Sequence, residues 1–390
     1  MNFKNKYIPT IIVLIVMVIM ATAEGFINIF GNTIKSEFLL NDTRYSLMFT
    51  LGSIAYLISN YIGGILCNKI GQKILLIAGL FGAILGNIIL ATSVNFNMFI
   101  LGFVLIQFFL GMMAISINTI IPLIWITGQA IIMNLTHFAY GAGLSVTQKI
   151  SGILLSNNIT WRKIYVISAM ITLLIAFIVI ITKFPINKES DIEEKISLKQ
   201  VLSNKICWLF IIGIGSYIFA EQATGRWLPI YFKNSNLSLN DNHISSIISL
   251  FFLLLTIGRL IGGFIIEKIG IIKGVIIFSF IGGLLFFTGL ILKENGLYLI
   301  PISGFFFSII FPTTVIIIGK IFKVNSSYIV GSIISFAGIV NTLINLTTGI
   351  LSDVIGISLG IFIIPLCLLT TFISILLVNL DTKDKDIKTS

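Results

Sequence analysis

Charge is scarce in this 390-residue chain: 10% of its residues are charged, against 57% hydrophobic. A soluble domain carries roughly 25% charged residues, so a water-facing surface over most of the chain is excluded. The mean hydropathy of +1.07 points to lipid as the solvent for most of it. Histidine and cysteine are nearly as rare, at two and three residues. Cys67, Cys207 and Cys367 lie far apart, and with His137 and His243 they offer no metal-ligand spacing. They read as structural thiols, and no metal or cofactor is expected. No nucleophile–base set suggests an enzyme. The net charge of +10 comes without a basic stripe interleaved with aromatics, which argues against a nucleic-acid partner.

What is present is apolar sequence in long runs. A membrane span needs roughly 20 such residues. Runs of that kind fall near 8–33, 43–66, 74–94, 98–126, 130–156, 162–182, 206–232, 243–266, 271–292, 297–319, 327–354 and 357–379. The expected fold class is therefore an all-α integral membrane protein of twelve transmembrane helices in two six-helix bundles. Lys4 and Lys6 before an apolar run ending at Ala21-Thr22-Ala23 imitate a signal peptide. Apolar sequence resumes after Glu24 and continues to Phe30, so a retained first helix is expected. The charged stretch around Lys188, Glu189, Asp191, Glu193, Glu194, Lys195 and Lys199 reads as a linker. The expected divisions are 1–186, a cytoplasmic linker 187–205, and 206–390 with a short cytoplasmic tail.

With the N-terminus inside, 16 of the 25 Lys and Arg fall in cytoplasmic segments and six in external loops. The other three, Lys149, Arg226 and Arg259, fall within helices. That bias places both termini in the cytoplasm of a multi-pass protein in the cytoplasmic (inner) membrane. The halves also repeat. Leu40-Asn41-Asp42 recurs as Leu239-Asn240-Asp241, and Gly63-Gly64, Lys69 and Gly71 recur as Gly262-Gly263, Lys268 and Gly270. Gly141 and Gly152 match Gly338 and Gly349 at a similar offset. Parallel repeats suit a carrier that rocks about a site between its halves.

Several stretches carry a resemblance. Gly64-Ile-Leu-Cys-Asn-Lys-Ile-Gly-Gln-Lys73 resembles the Gly-x-Leu-x-Asp-Arg-x-Gly-Arg-Arg/Lys signature of the major facilitator superfamily. Asn68 stands where that signature has Asp, and the second half keeps an acid at Glu267. Asn134-Leu-Thr-His-Phe-Ala-Tyr-Gly-Ala-Gly143, Tyr217-Ile-Phe-Ala-Glu221, Arg226-Trp-Leu-Pro-Ile-Tyr231 and Ile310-Phe-Pro-Thr313 are similar to the helix 5, 7 and 10 patterns of the fucose-permease-like sugar–proton symporters. The chain has Gln148-Lys149 where that family has a proline. The resemblance implies the major facilitator fold, with gating residues at Asn68, Lys69, Gly71, Lys73, Glu267, Lys268 and Gly270.

A charge at the bilayer centre costs about 2.5–3.5 kcal/mol or more, so intramembrane ions are functional candidates. No acid lies between Thr43 and Lys188. Glu24 is thus the only intramembrane acid of the first half, and Glu221 that of the second. At a rise of 1.5 Å per residue, Glu24 lies about 13 Å and Lys149 about 10 Å from the outer ends of their helices. Glu221 and Arg226 lie about 16 and 9 Å from theirs. Matched depth predicts that Glu24 pairs with Lys149. Arg226 either holds an anionic group or snorkels to the surface. Glu24, Asn28 and Asn32 form one helical stripe suited to a wet cavity. Glu24 and Glu221 are the proton-coupling candidates. Asn28, Asn118, Gln148, Lys149, Arg226, Trp227 and Asn341 are the substrate-binding candidates. Asn345 is a further mid-helix amide, suited to hydroxyl binding or to helix packing. His137, about 28 Å from the outer end of its helix, reads as either a relay or a packing residue. The expectation is a monomeric secondary transporter of a small polar solute, sugar or sugar-like, coupled to protons and bathed in lipid. The alternative is a proton-driven exporter of drugs or anionic metabolites, with a transport-dead sensor behind it.

Overall fold

In the computed structural model, which describes residues 6–40, 42–185, 196–234 and 241–388, helices account for nearly all of the chain. The first half holds α1 Tyr7–Glu37, α2 Asp42–Ile70, α3 Gln72–Ala91, α4 Phe96–Ile124, α5 Gln129–Ser156 and α6 Trp161–Ile181. A short α7, Leu198–Ser203, precedes α8 Lys205–Arg226, α9 Leu228–Asn234, α10 Asp241–Ile269 and α11 Ile271–Ile291. The chain ends with α12 Leu299–Phe307, α13 Ile310–Ile321, α14 Ser326–Ile355, α15 Ile357–Gly360 and α16 Ile363–Lys388. Asn41, Leu239, Asn240 and the core of the charged linker lie outside the described residues, and the Asn32 side chain does too.

α1 runs unbroken through Ala21–Glu24. Several of the other helices begin with polar caps. The Asn95 side chain accepts from Met98 N at the start of α4, that of Thr160 from Lys163 N at α6, and that of Asn204 from Ile206 N at α8. Three breaks stand just before a proline, while Pro122 lies inside the unbroken α4. Pro229, Pro312 and Pro365 each sit in the first turn of a helix segment, just after an interruption at Trp227, Ser308–Ile309 and Ile361–Phe362 respectively. Proline supplies no N–H to the carbonyl four residues back, and it is tolerated in a first turn. Sequence places Pro312 inside one long span; the structure divides that span into α12 and α13.

Among the described residues, eleven helices or broken helices are long and apolar enough to cross a membrane. The twelfth is α5, 28 residues long but carrying Asn134, Thr136, His137, Ser145, Thr147, Gln148 and Lys149. A membrane helix this polar needs other protein or water against it.

The chain divides into two compact units. One comprises Met1–Gln129, Thr136–Glu194 and Phe322–Ser332; the other comprises Ala130–Leu135, Lys195–Ile321 and Ile333–Ser390. In the first unit α3 and α2 pack on α4, and α3 also packs on α6. α3 shows how a helix that is apolar all round is oriented. Leu75, Leu76 and Leu80 are buried, while Ile74, Phe81, Leu85 and Ile88 are exposed. Its buried face is marked by small residues: Gly79, Gly82 and Gly86 lie directly against Met113, Phe109 and Ile106 of α4. In the second unit α8 packs on α16, α10 on α12, and α11 on both α12 and α16.

The sequence repeat reappears as repeated local geometry. Gly71 between α2 and α3 has φ 83°, and Gly270 between α10 and α11 has φ 95°, a region that residues with a Cβ avoid. In the first unit, a Cβ on Gly64 of α2 would lie 2.9 Å from the Ser327 carbonyl oxygen and 3.2 Å from Tyr328 Cα. In the second, a Cβ on Gly263 of α10 would lie 2.8 Å from Ile131 Cα. Gly64→Val is therefore expected to lower stability by about 1–3 kcal/mol through overpacking. Gly152→Ala, with nothing within 4 Å of the added methyl, is expected to raise it by up to about 1 kcal/mol through helix propensity. Thermal unfolding of the purified chain in detergent compares them, and a Gly64→Val melting point equal to wild type overturns the close-packing account.

Candidate functional site

The orientation of α1 is fixed by aromatic packing. Phe26 and Phe30 meet the Tyr165 ring of α6 edge-on, with centroids 5.3 and 6.0 Å away. α5 closes on another side of α1, because Gly143 lies against Val18 and Gly25 against Thr147 with no room for a Cβ. Glu24 and Asn28 are left exposed. A carboxylate oxygen of Glu24 accepts a hydrogen bond of 2.7 Å from the Tyr140 hydroxyl of α5.

The expected pairing of Glu24 with Lys149 is absent: neither takes part in an ion pair with the other, and Lys149 is exposed. Tyr140 and Lys149 are nine residues apart, about two and a half turns, and so lie on opposite sides of α5. Lys149 shares its exposed side with Val146, Ile150 and Ile153. Matched depth said nothing about azimuth, and azimuth decided. Asn118 is buried in α4, four residues before Pro122, and Gln148 is half-buried.

In the second unit Glu221 has a different cation from the one its own helix offered. Arg259 Nη2 of α10 lies 3.0 and 3.2 Å from the two carboxylate oxygens, and Tyr217, one turn back on α8, donates to the same carboxylate. Arg226 is exposed and is not that partner. The Tyr217 ring is fully buried beside Phe307, which also packs on Phe251 and Phe286. α8 and α14 approach closely at Gly215, which abuts Ala337 and Val340. Along that seam Asn341 Nδ2 faces Gln222 Oε1 at 3.5 Å, and Trp227 Nε1 donates to Asn345 Oδ1 at 3.2 Å.

The gating candidates fall into two unequal arrangements. In the second unit Glu267 Oε1 accepts from the Ala130 backbone N–H at 3.0 Å. That N–H belongs to the first turn of α5, whose cap residue Gly128 has no side chain to offer, so a carboxylate from α10 meets the positive end of the helix dipole. In the first unit Asn68 Nδ2 donates to Asn325 Oδ1 at 3.3 Å and Gln72 Nε2 to Ser327 Oγ at 3.3 Å. The Lys73 ammonium donates to the Ile180 carbonyl at 2.7 Å. Lys69 and Lys268 are exposed, and Gly71 and Gly270 form the turns already described.

Sequence reasoning missed a cluster at the far end of α1. Arg162 pairs with Glu37, donates to the Ser93 carbonyl at 2.9 Å and lies 4.2 Å from the Trp161 ring centre, while Trp161 Nε1 donates to Glu37 at 2.8 Å. It ties the ends of α1, α3 and α6 together. Among the described residues no group of three His, Cys, Asp or Glu could hold a metal.

Removing Arg259 alone strands the Glu221 carboxylate. Arg259→Met is expected to cost about 3–5 kcal/mol, and Glu221→Met/Arg259→Met to recover most of that loss. Melting points for the two variants check this, and a double variant less stable than the single one overturns the pairing.

The profile of the Major Facilitator Superfamily matches residues 12–323. A TsgA homolog from Buchnera aphidicola subsp. Baizongia pistaciae (strain Bp) is 28% identical over 340 residues, covering 86% of this chain and 84% of that protein. Among solved structures, the transporter FucP in its outward conformation gives a TM-score of 0.83 at 20% identity, covering 95% of this chain and 98% of that one. FucP is described in another structure as the fucose:proton symporter of E. coli. The proton:xylose symporter XylE gives 0.77 at 11% identity over 96% of this chain and 95% of that one.

Proposed function

Because the chain belongs to the Major Facilitator Superfamily, and is a membrane transporter of that fold, we propose that it moves a small polar solute by alternating access, coupled to protons through Glu24. The observation that carries this reading is the exposed Glu24 carboxylate on a membrane-spanning helix, held by the Tyr140 hydroxyl at 2.7 Å with Asn28 also exposed one turn on. A carboxylate turned from one side of a bilayer to the other crosses a low-dielectric region. The ionised form is the costly one there, by about 2.5–3.5 kcal/mol on insertion scales. Protonation removes that cost and so links the proton to the movement. Tyr140 keeps the acid on the α5 side of α1, and its hydroxyl serves as acceptor when Glu24 carries the proton. The names of FucP and XylE, both proton symporters of sugars, support a sugar-like solute. The 16-to-six distribution of Lys and Arg supports a cytoplasmic membrane location with both termini inside.

A thermal-shift screen of purified chain against sugars, sugar acids, organic acids, amino acids and drugs identifies the solute class. Uptake of the stabilising compound is then followed in proteoliposomes under an imposed pH gradient. Glu24→Gln, which mimics the protonated acid, is expected to retain exchange across the membrane and to lose gradient-driven accumulation. Accumulation at the wild-type level would remove Glu24 from the mechanism and leave Glu221 as the next acid to test.

A further inference from the structure

We propose that Arg259 is an anion-binding residue for a carboxylate-bearing, hydroxylated solute, and that Glu221 is its resident counter-ion, displaced when the solute arrives. The proposal rests on the carrier reading above and gives its cargo a chemical class.

The geometry of the pair is the first reason. The strongest guanidinium–carboxylate pairing, and a frequent one, presents two nitrogens to two oxygens in parallel. Here Nη2 alone serves both Glu221 oxygens, at 3.0 and 3.2 Å. Arg259 Nε is buried with no hydrogen-bond partner. An arginine carries five N–H donors and accepts nothing, and buried donors in native proteins are rarely left unsatisfied. The vacant Nε is the donor that an incoming carboxylate would complete a fork with.

The repeat supplies a second reason. The position equivalent to Arg259 in the first half is 199 residues earlier, Asn60, a neutral amide whose Nδ2 donates to the Tyr56 carbonyl of its own helix. The repeated fold therefore does not require a cation at this point of the helix. One half carries it and the other does not, as recognition of a single charge on the solute demands.

Exposure says which partner leaves. The Glu221 side chain is 23% exposed and that of Arg259 11%, so the carboxylate is the more accessible member of the pair. Tyr217 already donates to Glu221 and remains its donor after displacement. No other side chain forms an ion pair with Arg259 among the described residues. Next to Glu221 along α8, Gln222 and Asn341 face each other at a loose 3.5 Å and are partly open to solvent. Two amides at that separation suit hydroxyl groups on the solute.

The test uses the full chain purified in detergent, with sodium acetate as the carboxylate probe and sodium chloride at matched ionic strength as the reference. Glu221→Gln removes the counter-charge from the guanidinium while leaving one neutral acceptor, and its melting point is expected to rise by several degrees in acetate over chloride, as for any ligand that binds the folded state alone. Wild type is expected to shift less, and Glu221→Gln/Arg259→Met not at all. Equal shifts in the single and double variants, or none in either, overturn the proposal. If Glu221→Gln does not purify as a folded protein, Glu221→Ala carries the same comparison: recovery of folded protein in acetate but not chloride supports the proposal, and recovery in neither overturns it. Melting reads binding and not transport. A chain that binds acetate through Arg259 but moves nothing in vesicles removes the carrier reading alone. A chain that transports while its Glu221→Gln form ignores acetate removes this proposal alone.

Discussion

Hydrocarbon surrounds a membrane chain with a solvent as apolar as its own leucines, so burial of apolar surface does not decide which helices meet. Close backbone approach decides it here. Gly79, Gly82 and Gly86 seat α3 on α4, Gly25 and Gly143 seat α1 on α5, and Gly215 seats α8 on α14. Everything at the candidate site depends on those seatings. Tyr140 reaches Glu24 because α1 and α5 close to glycine distance, and Asn341 meets Gln222 for the same reason on α14.

Polar groups then take positions that the seatings leave open. Glu24 and Glu221 have the same kind of companion, a tyrosine hydroxyl, but only Glu221 has a cation. The two turns at Gly71 and Gly270 share a backbone conformation, yet the residues beside them diverge, with an amide pair at Asn68 and a carboxylate-to-helix contact at Glu267. The duplicated frame is kept, and the chemistry mounted on it differs between halves.

The fold was legible because its signals are periodic and local. Apolar runs of span length, the offset glycines and the Lys and Arg bias do not depend on tertiary detail. Helix breaks were less so: Trp227 and Ser308 interrupt runs that remain apolar, and only the nearby prolines mark them. The site was legible by residue type and not by partner. Glu24 and Glu221 stood out as lone intramembrane acids. Depth alone then joined Glu24 to Lys149, on the wrong side of α5, and left Arg259 without an acid because Glu221 is 38 residues away in sequence. The Tyr217–Glu221 spacing of one helical turn was the available signal for a hydrogen-bonded pair. Nothing local marked Tyr140 as the donor to Glu24.

The uneven placement of helix breaks bears on how such a chain is assembled. α1 to α6 each run without interruption, whereas α8/α9, α12/α13 and α15/α16 are jointed. A jointed helix entering the bilayer alone carries backbone groups that lipid does not satisfy, and they are tolerated only once neighbouring protein covers them. Ser308, at one joint, is fully buried in the finished fold. In the first half α1, α2, α3 and α6 carry neither a joint nor a proline beyond the first turn, whereas α4 contains Pro122 and α5 its polar residues, so those two also need neighbours. The three jointed helices, all in the second half, gain their stability from company, so they settle only as the helices around them, such as the unbroken α10, α11 and α14, come together.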